Sequence, residues 1–291
     1  YLTGKHGRKK KDKMTYREAI KLGESILQKA DITDAKNDAW LLLAMACKID
    51  RTYYYVHMDE ELTTEQTREY QSVLKKRAER IPLQYITGEQ EFMGLTFHVN
   101  NNVLIPRQDT ETLVEEALKI IEPGMKVLDM CTGSGCIIIS IFLSGMADRA
   151  VAVDYSEKAL SVAKQNASLN NADIEFIYSD LFENVSDDEI FDMIVSNPPY
   201  IETDEIETLS DEVRLFDPMM ALDGDKDGLK FYRNITEQAA GYLKRGGWLM
   251  YEIGCSQAVA VSEIMHKNGF AEVTVIKDLS GLDRVVCGKL M

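Results

Sequence analysis

The residues of this chain most able to do chemistry are four consecutive positions, Asn197-Pro198-Pro199-Tyr200. They follow an apolar run over residues 191–196 that reads as a buried strand. Two successive prolines fix φ and donate no backbone hydrogen bond, so the strand end is stiff and its carbonyl oxygens are free. The Asn197 side-chain oxygen and a carbonyl of the proline segment can accept both hydrogens of one NH2 group, while the Tyr200 ring covers its flat face. The segment suits a planar amide or an exocyclic base amine, although taken alone it could be an ordinary proline-rich turn.

A second group of residues predicts a nucleotide-binding loop. An apolar strand pattern at residues 126–130 leads into a loop at 131–135, and an apolar helical run at 136–143 follows. Glycines in such a loop let the backbone approach a ligand closely. The next apolar strand ends in Asp154, about twenty residues past the loop, where an acid can bind both hydroxyls of a ribose.

The ligand that this loop favours is S-adenosylmethionine. A dinucleotide loop normally carries three glycines, whereas this one offers Gly133 and Gly135. Asp129, at the end of the first strand, places a negative charge near the ligand, which suits a cationic, phosphate-free molecule. S-adenosylmethionine carries a sulfonium and an amino group and meets this requirement.

The strand and helix patterns predict an α/β fold with a Rossmann-like, mostly parallel sheet. After Asp154, strand patterns occur at residues 174–178, 191–196, 247–253, 272–276 and 283–287. Helical patterns at 156–170 and 230–243 separate the earlier strands, as in βαβ units. The short link between the last two strands predicts a hairpin and one antiparallel edge. Ligands bind at the carboxyl ends of such strands, where the glycine loop, Asp154, Asp180 and Asn197 fall.

Composition argues against several classes of protein. The 291 residues are 45% hydrophobic, and no run approaches the roughly 18 apolar residues of a membrane helix, so we expect no membrane association. The five cysteines form no Cys-x-x-Cys pair and the four histidines form no cluster, which argues against a disulfide framework and against a metal site. Free thiols and the lack of an apolar signal peptide indicate the cytoplasm, and nothing requires an oligomer, so we expect a monomer.

The first third of the chain predicts a helical domain. Residues 1–13 are basic and polar, and we expect a disordered leader or a non-native remnant there. Residues 14–84 show helical patterns, and we expect a bundle of about four or five helices. The expected helix starts are Thr15 with Glu18, Asp34, and Thr63 with Gln66. Residues 53–55 are three tyrosines that could stack bases, but we prefer a short helix that buries some of their rings.

A connector joins this bundle to the second domain. Alternation and glycines at residues 84–88 and 92–99 predict a β-hairpin linker over 85–104, and a domain over 105–291 follows. The segment 105–111 leads into a helix that Asp109 or Thr110 would cap. Arg107 and Asp109 beside Pro106 could form one wall of the active site, or the segment could be a simple helix start.

Together these segments resemble the release factor glutamine methyltransferases, the HemK/PrmC family. The resemblance covers residues 14–291, and segments beyond the glycine loop carry it. They are Pro82-Leu83-Gln84-Tyr85-Ile86-x-Gly88, Leu104-Ile105-Pro106-Arg107-x-Asp109-Thr110-Glu111, Asn197-Pro198-Pro199-Tyr200, Ala221-Leu222-Asp223-Gly224, Glu252-Ile253-Gly254-x-x-Gln257 and Asp278-Leu279-x-Gly281-x-Asp283-Arg284. Of these, Asn-Pro-Pro-Tyr alone is shared with methyltransferases of adenine and guanine exocyclic amines.

The resemblance implies a helical N-terminal domain that helps to hold the substrate and a class I methyltransferase domain with a seven-stranded, mostly parallel sheet. The implied reaction moves a methyl group from S-adenosylmethionine to the glutamine side-chain amide of the GGQ motif in class 1 peptide chain release factors, which act in translation termination. The expected cofactor residues are Asp129, Cys131, Thr132, Gly133, Ser134, Gly135, Asp154, Asp180, Leu181 and Asn197. The expected substrate residues are Arg107 and Asn197, Pro198, Pro199 and Tyr200, with Asn197, Pro198 and Tyr200 catalytic.

One departure from the family concerns Cys131, where the family usually has glycine. A cysteine there would weaken cofactor binding if the position needed positive φ. We expect ordinary β-region angles and a mild effect, because Gly133 and Gly135 remain.

Charge bears on the partner. The net charge is −15, and residues 201–228 hold ten acids and two bases, a local charge of −8. This stretch opposes a nucleic-acid backbone and favours a basic protein, although it could be a merely solvated loop. Two alternatives are a nucleic-acid amine methyltransferase, which predicts a basic groove, and a non-catalytic S-adenosylmethionine-binding adaptor, which only Cys131 suggests.

Overall fold

The computed structural model describes residues 14–291, and the leader expected at residues 1–13 lies outside this part. The chain divides into two compact units, one ending at Thr87 and the other running from Gly88 to Met291. No helix among residues 14–291 is both long and apolar enough to cross a membrane.

The first unit is helical. Its helices are α1 (Tyr16–Lys29), α2 (Ala35–Cys47), α3 (Arg51–His57), α4 (Thr64–Ala78) and α5 (Leu83–Thr87). The capping boxes expected at Thr15 and Thr63 both form. Asp34 precedes α2 as expected, but its side chain makes no capping hydrogen bond. The core of the unit is apolar and includes Leu27, Leu42, Leu43, Tyr70 and Leu74.

The three consecutive tyrosines lie on α3, so the short helix is confirmed. Tyr54 packs partly against the core and contacts Trp40 edge-to-face, with ring centroids 5.5 Å apart. Tyr53 and Tyr55 remain 41% and 64% exposed. The helix therefore buries the Tyr53 and Tyr54 rings in part, with Tyr53 in contact with Tyr16, and leaves Tyr55 largely in solvent.

The hairpin is shorter than the sequence predicts. The strand expected at residues 84–88 is wrong, because the helix α5 forms there: the carbonyl of Pro82, just before the helix, accepts hydrogen bonds from the N–H groups of Tyr85 and Ile86. The hairpin consists of β1 (Glu89–Phe92) and β2 (Leu95–His98). Phe92 and Phe97 are buried in the core of the second unit, so the hairpin is part of that unit.

The second unit is built on a seven-stranded sheet, as predicted. Its strands are β3 (Met125–Met130), β4 (Ala147–Asp154), β5 (Glu175–Tyr178), β6 (Phe191–Ser196), β7 (Leu243–Glu252), β8 (Phe270–Lys277) and β9 (Asp283–Leu290). Their order is β5-β4-β3-β6-β7-β9-β8, and every pair without β9 is parallel. The late hairpin is confirmed, and its antiparallel strand β9 lies second from the edge, with β8 outermost. The order reverses between β3 and β6, where open α/β sheets bind ligands.

Helices cover both faces of this sheet. They are α6 (Gln108–Ile120), α7 (Cys136–Leu143), α8 (Glu157–Leu169), α9 (Asp211–Phe216), α10 (Lys230–Tyr242) and α11 (Ala258–Lys267), with 3-10 turns at Thr203–Thr208 and Met219–Ala221. Successive strand residues belong to different core clusters: Val127 is in the cluster that includes Leu113 of α6, and Leu128 is in the one that includes Tyr232 of α10. Because neighbouring side chains on a strand point to opposite faces, the sheet has a hydrophobic core on each side.

Candidate active site

A cavity of about 680 Å³ lies at the carboxyl ends of β3, β4 and β6, within the range of roughly 300–1,000 Å³ that small-molecule sites occupy. It brings together residues from separate parts of the sequence. The predicted site residues that line it are Arg107, Cys131, Thr132, Gly133, Ser134, Asp154, Asp180, Leu181, Asn197 and Pro199. The other predicted residues, Asp129, Gly135, Pro198 and Tyr200, are not among its lining residues.

Hydrogen bonds to Asp154 fix the glycine loop. One carboxylate oxygen of Asp154 accepts from the Gly133 N–H at 2.8 Å, and the other accepts from the Ser156 N–H at 2.8 Å. Gly135 is the N-cap of α7 and has φ +81°, and a Cβ there would lie 3.0 Å from the side chain of Ile139. The loop therefore needs glycine at Gly135 both for its angle and for its packing.

Carboxylates give the site its charge. Asp129 is fully buried; its Oδ2 accepts from the Thr132 hydroxyl at 2.7 Å, and its Oδ1 has no hydrogen-bond partner among residues 14–291. Burial raises the pKa of Asp129 to about 7, with nearby Asp154 adding to the effect, and burial also raises the pKa of Asp154. An unsatisfied buried carboxylate favours a cationic neighbour. The residues present thus fit S-adenosylmethionine: Asp154 and the loop, which line the cavity, would hold it, and Asp129, which lies outside the lining and accepts from Thr132, would add negative charge close by.

Cys131 adopts the left-handed conformation, with φ +63°. The expectation of ordinary β-region angles at this position is wrong. The loop turns sharply after β3 so that the Thr132 N–H can reach the Val153 carbonyl at 3.0 Å, and this turn sets the angle. The conformation strains a residue with a Cβ. Burial, followed by the charges of Asp154 and Asp129, raises the pKa of the Cys131 thiol, which stays protonated.

Substitutions at Cys131 test this strain. Cys131→Gly should change the free energy of unfolding by no more than about 1 kcal/mol, because relief of strain offsets lost packing and the greater freedom of the unfolded chain. Cys131→Val places a β-branched side chain at positive φ and should destabilise the protein by ~1–3 kcal/mol. It should also weaken S-adenosylmethionine binding. Thermal melting and calorimetry check both variants, and equal stability of the two would contradict the argument.

The Asn-Pro-Pro-Tyr segment forms a rigid turn at the end of β6. The Asn197 Nδ2 donates to the Thr110 hydroxyl at 3.4 Å, and the Tyr200 hydroxyl donates to Glu252 at 3.3 Å. The Tyr200 carbonyl accepts from the Gln257 side chain at 2.9 Å. A Cβ at Gly228 would clash with that carbonyl, so the turn is held from two sides. This arrangement leaves the Asn197 side-chain oxygen as an acceptor at the cavity.

The segment before α6 also contributes to the site. The helix begins after Arg107, so the expected capping by Asp109 or Thr110 is wrong, and both residues lie in its first turn. The hydroxyl of Thr110 is used by Asn197 instead. Arg107 lines the cavity and pairs with the buried Asp217 at 2.7 Å.

Sequence patterns alone do not reveal the contacts of two residues at this site. Local spacing predicts only a helix cap at Thr110, and Glu252 lies in a family motif that assigns it no role. An acid at the carboxyl end of an apolar strand is the local signal that marks Glu252. Its relation to Tyr200, 52 residues earlier, follows only from the parallel pairing of β6 with β7.

Comparison with known proteins places this site in a family. The model of the PrmC N-terminal domain matches residues 18–88, and that of the methyltransferase small domain matches residues 108–214. A release factor glutamine methyltransferase from Geobacter sulfurreducens is 41% identical, covering 95% of this chain and 97% of that protein. Proteins of the same name from Clostridium acetobutylicum and Cereibacter sphaeroides are each 40% identical, covering 94% of this chain and 98% of theirs.

Solved structures share the fold at lower identity. A methyltransferase from Pyrococcus furiosus is 17% identical with a TM-score of 0.52, covering 68% of this chain and 90% of its own. The T. thermophilus 16S rRNA N2 G1207 methyltransferase, solved with AdoMet and guanosine, is 17% identical with a TM-score of 0.53, covering 70% of this chain and 50% of its own. These two structures support the methyltransferase fold alone. The near full-length relatives show more: this chain belongs to the release factor glutamine methyltransferase family.

Proposed function

We propose that this protein transfers a methyl group from S-adenosylmethionine to the glutamine side-chain amide of the GGQ motif in class 1 peptide chain release factors. The observation that carries the proposal is that the Asn197 amide and the glycine loop line one cavity. The names of the near full-length relatives support the glutamine as acceptor. A substrate of this kind supports a cytoplasmic location, and we propose that the protein acts there as a monomer.

The chain must overcome the low reactivity of an amide nitrogen, whose lone pair is delocalised into the carbonyl. S-adenosylmethionine, when bound, would supply an electrophilic methyl group, and the broken S–CH3 bond would leave S-adenosylhomocysteine as the second product. The Asn197 oxygen and the Pro198 carbonyl accept the two N–H bonds of the glutamine amide, which concentrates charge on its nitrogen and orients it. Tyr200 packs against the amide plane. The segment contains no strong base, and the displaced proton leaves to solvent.

The surface beside the cavity suits a basic protein partner. The acidic stretch 201–228 follows the Asn-Pro-Pro-Tyr turn directly. Part of its charge is used internally, since Asp217 pairs with Arg107, Asp225 with Lys230, and Asp227 with Arg233. Several other acids are exposed, among them Glu202, Asp204 and Glu205. These carboxylates repel a phosphate backbone and attract basic protein surfaces, which speeds the encounter at low salt.

This steering predicts a salt effect. The kcat/KM for a release factor should fall roughly 10-fold as ionic strength rises, because screening removes the attraction. The triple variant Glu202→Gln, Asp204→Asn, Glu205→Gln should start lower and depend less on salt, with kcat unchanged. Steady-state kinetics over a salt series measure this. A salt-independent kcat/KM in the unmodified protein would show that the acids are merely solvated.

Transfer of label from methyl-labelled S-adenosylmethionine tests the proposed function. The acceptors are a class 1 release factor, the same factor with its GGQ Gln→Ala, and duplex DNA. Label on the unmodified factor alone supports the proposal and identifies the acceptor. Label on DNA would favour the nucleic-acid alternative, and cofactor binding without label on any acceptor would favour the adaptor.

A further inference from the structure

Gln257 ends the family motif Glu252-Ile253-Gly254-x-x-Gln257 and has no part in the catalytic arrangement. It is the N-cap of α11, is partly buried and lies outside the lining of the cavity. Its backbone N–H donates to the Gly254 carbonyl at 2.9 Å, and its carbonyl accepts from the Val261 N–H at 2.9 Å. The side chain of Gln257 therefore extends from a backbone that is fixed on both sides.

The side-chain amide of Gln257 joins three separate segments. Its Nε2 donates to the Tyr200 carbonyl at 2.9 Å and to the Gly228 carbonyl at 3.3 Å. Its Oε1 accepts from the Gly254 N–H at 3.0 Å. Two carbonyl oxygens need a donor and one N–H needs an acceptor, so a single orientation of the amide satisfies all three partners. These three hydrogen bonds form the Gln257 clamp.

The two carbonyls in the clamp lie at the two ends of the acidic stretch 201–228, since Tyr200 precedes it and Gly228 ends it. The backbones meet closely here. A Cβ on Gly224 would lie 2.8 Å from the Tyr200 Cα. A Cβ on Gly228 would clash with the Tyr200 carbonyl oxygen and lie 2.6 Å from Gln257 Nε2. Because both glycines lack a side chain, one NH2 group can reach both carbonyls.

The Asn-Pro-Pro-Tyr turn depends on an anchor of this kind. Pro198 and Pro199 have no backbone N–H, so neither can donate a hydrogen bond that would tie the turn to a neighbouring element. In the proposed function the Pro198 carbonyl must also stay available to the substrate. The Tyr200 carbonyl follows the two prolines directly, and it is the group that Gln257 binds. This bond therefore fixes the peptide groups of the turn at its far end.

We propose that Gln257 is a positioning residue for methyl transfer, which binds the Tyr200 carbonyl and so keeps the Asn197 oxygen and the Pro198 carbonyl directed at the substrate amide. The role rests on the proposed function. Gln257 acts through the turn and not by contact with the substrate or S-adenosylmethionine, because it does not line the cavity.

Gln257→Met keeps the length of the side chain and removes all three hydrogen bonds. We expect kcat to fall about 10- to 100-fold, because small displacements of reacting groups have effects of this size. The Kd for S-adenosylmethionine and the KM for the release factor should stay within about 3-fold. The cofactor groups lie on other strand ends, and the acidic stretch keeps the bonds of Ile201 with Leu222 and Gly224.

Steady-state kinetics and calorimetry measure these constants, and the number of S-adenosylmethionine sites per chain counts the folded molecules to which kcat is referred. A residue that merely stabilises the fold would leave kcat per site unchanged. A normal kcat per site in Gln257→Met would therefore overturn the proposal. Losses in Kd and KM as large as the loss in kcat would overturn it as well.

Gln257→Glu separates the two halves of the clamp. It keeps an oxygen that can accept from the Gly254 N–H, but its carboxylate cannot donate to the carbonyls of Tyr200 and Gly228 and repels them. Its kcat should be at or below that of Gln257→Met. Gln165→Glu makes the same charge change at an exposed glutamine of α8 outside the cavity lining, and its kcat should be normal. Normal turnover of Gln257→Glu would contradict the proposal.

Gly228→Ala disturbs the same clamp from its other side and should also lower kcat. Combined with Gln257→Met, it should be little worse than the poorer single variant, because both changes break one connection. Gly269→Ala is the control: Gly269 also has positive φ, at +86°, but a Cβ there meets nothing within 4 Å. Its kcat should be normal. Additive losses in the double variant would show that Gly228 and Gln257 act independently, against the proposal.

A measurement without substrate separates this proposal from the proposed function. The Tyr200 carbonyl and the Ile201 N–H belong to one peptide group, so one NMR correlation reports on both. Gln257→Met should shift this signal and also the side-chain NH2 signals of Asn197, assigned with Asn197→Asp, whatever acceptor the enzyme methylates. Gln165→Glu should shift neither. Unchanged Asn197 signals in Gln257→Met would overturn the positioning role, whereas failure of the unmodified protein to label a release factor would overturn only the proposed function.

Discussion

Asn197→Ala should lower kcat for the release factor about 10²- to 10³-fold, the range seen when one preorganised group that stabilises a transition state is removed. The Asn197 oxygen is the side-chain acceptor left free at the cavity, because its NH2 group is engaged by Thr110. Without it, one N–H bond of the glutamine amide loses its acceptor. The Kd for S-adenosylmethionine should change less than about 3-fold, since the carboxylates and the glycine loop remain.

Two further variants test the cause of that loss. Asn197→Asp retains an acceptor oxygen but cannot donate to Thr110, and its activity should lie between those of Ala and Asn. Asn101→Ala changes an exposed asparagine that does not line the cavity, and its kcat should equal that of the unmodified protein. Single-turnover rates and calorimetric binding measure the effects. Near-normal turnover of Asn197→Ala would remove Asn197 from the catalytic arrangement.

Local sequence was sufficient to predict those parts of the site that follow directly from strand ends. The apolar runs before Asp129, Asp154 and Asn197 predicted β3, β4 and β6, and parallel pairing brings their carboxyl ends to one edge. A strand, a glycine-containing turn and a helix together occupy about twenty consecutive residues, so this motif can be predicted without knowledge of any distant contact.

The features that escaped prediction depend on contacts far apart in sequence. The Thr110 hydroxyl accepts a hydrogen bond from Asn197, 87 residues away, and does not cap a helix as its local sequence predicts. The angle of Cys131 is set by the backbone of Val153 on β4, which no pattern within the loop reveals. The inner position of β9 likewise arises from pairing with β7 across the intervening helix α11 and strand β8. In all three cases a hydrogen bond between residues far apart in the sequence determines the local structure.

Asp154→Ala should weaken S-adenosylmethionine binding much more than it lowers kcat, which is the opposite of what we expect for Asn197→Ala. Asp154 accepts two backbone N–H bonds, from Gly133 and Ser156, so its carboxylate both shapes the glycine loop and remains the acid available to the ribose. Each hydrogen bond to a charged group contributes about 1.5–3 kcal/mol, and losing the ribose contact together with the order of the loop should weaken S-adenosylmethionine binding by about 10²-fold or more. The kcat at saturating cofactor should fall much less, because the Asn-Pro-Pro-Tyr turn, which is proposed to hold the substrate amide, is untouched.

Calorimetry and steady-state kinetics distinguish the two effects, and Asp173→Ala, which removes an exposed acid outside the cavity lining, is the matched control. Asp154→Asn should be intermediate, since its oxygen can accept one of the two N–H bonds while its NH2 group opposes the other. A normal Kd combined with a low kcat in Asp154→Ala would mean that the acid acts on the reacting groups. The expected pair of results, a binding loss at Asp154 and a turnover loss at Asn197, follows from the proposed roles of two residues at the ends of different strands. In that proposal Asp154 binds the cofactor, and Asn197 orients the substrate amide.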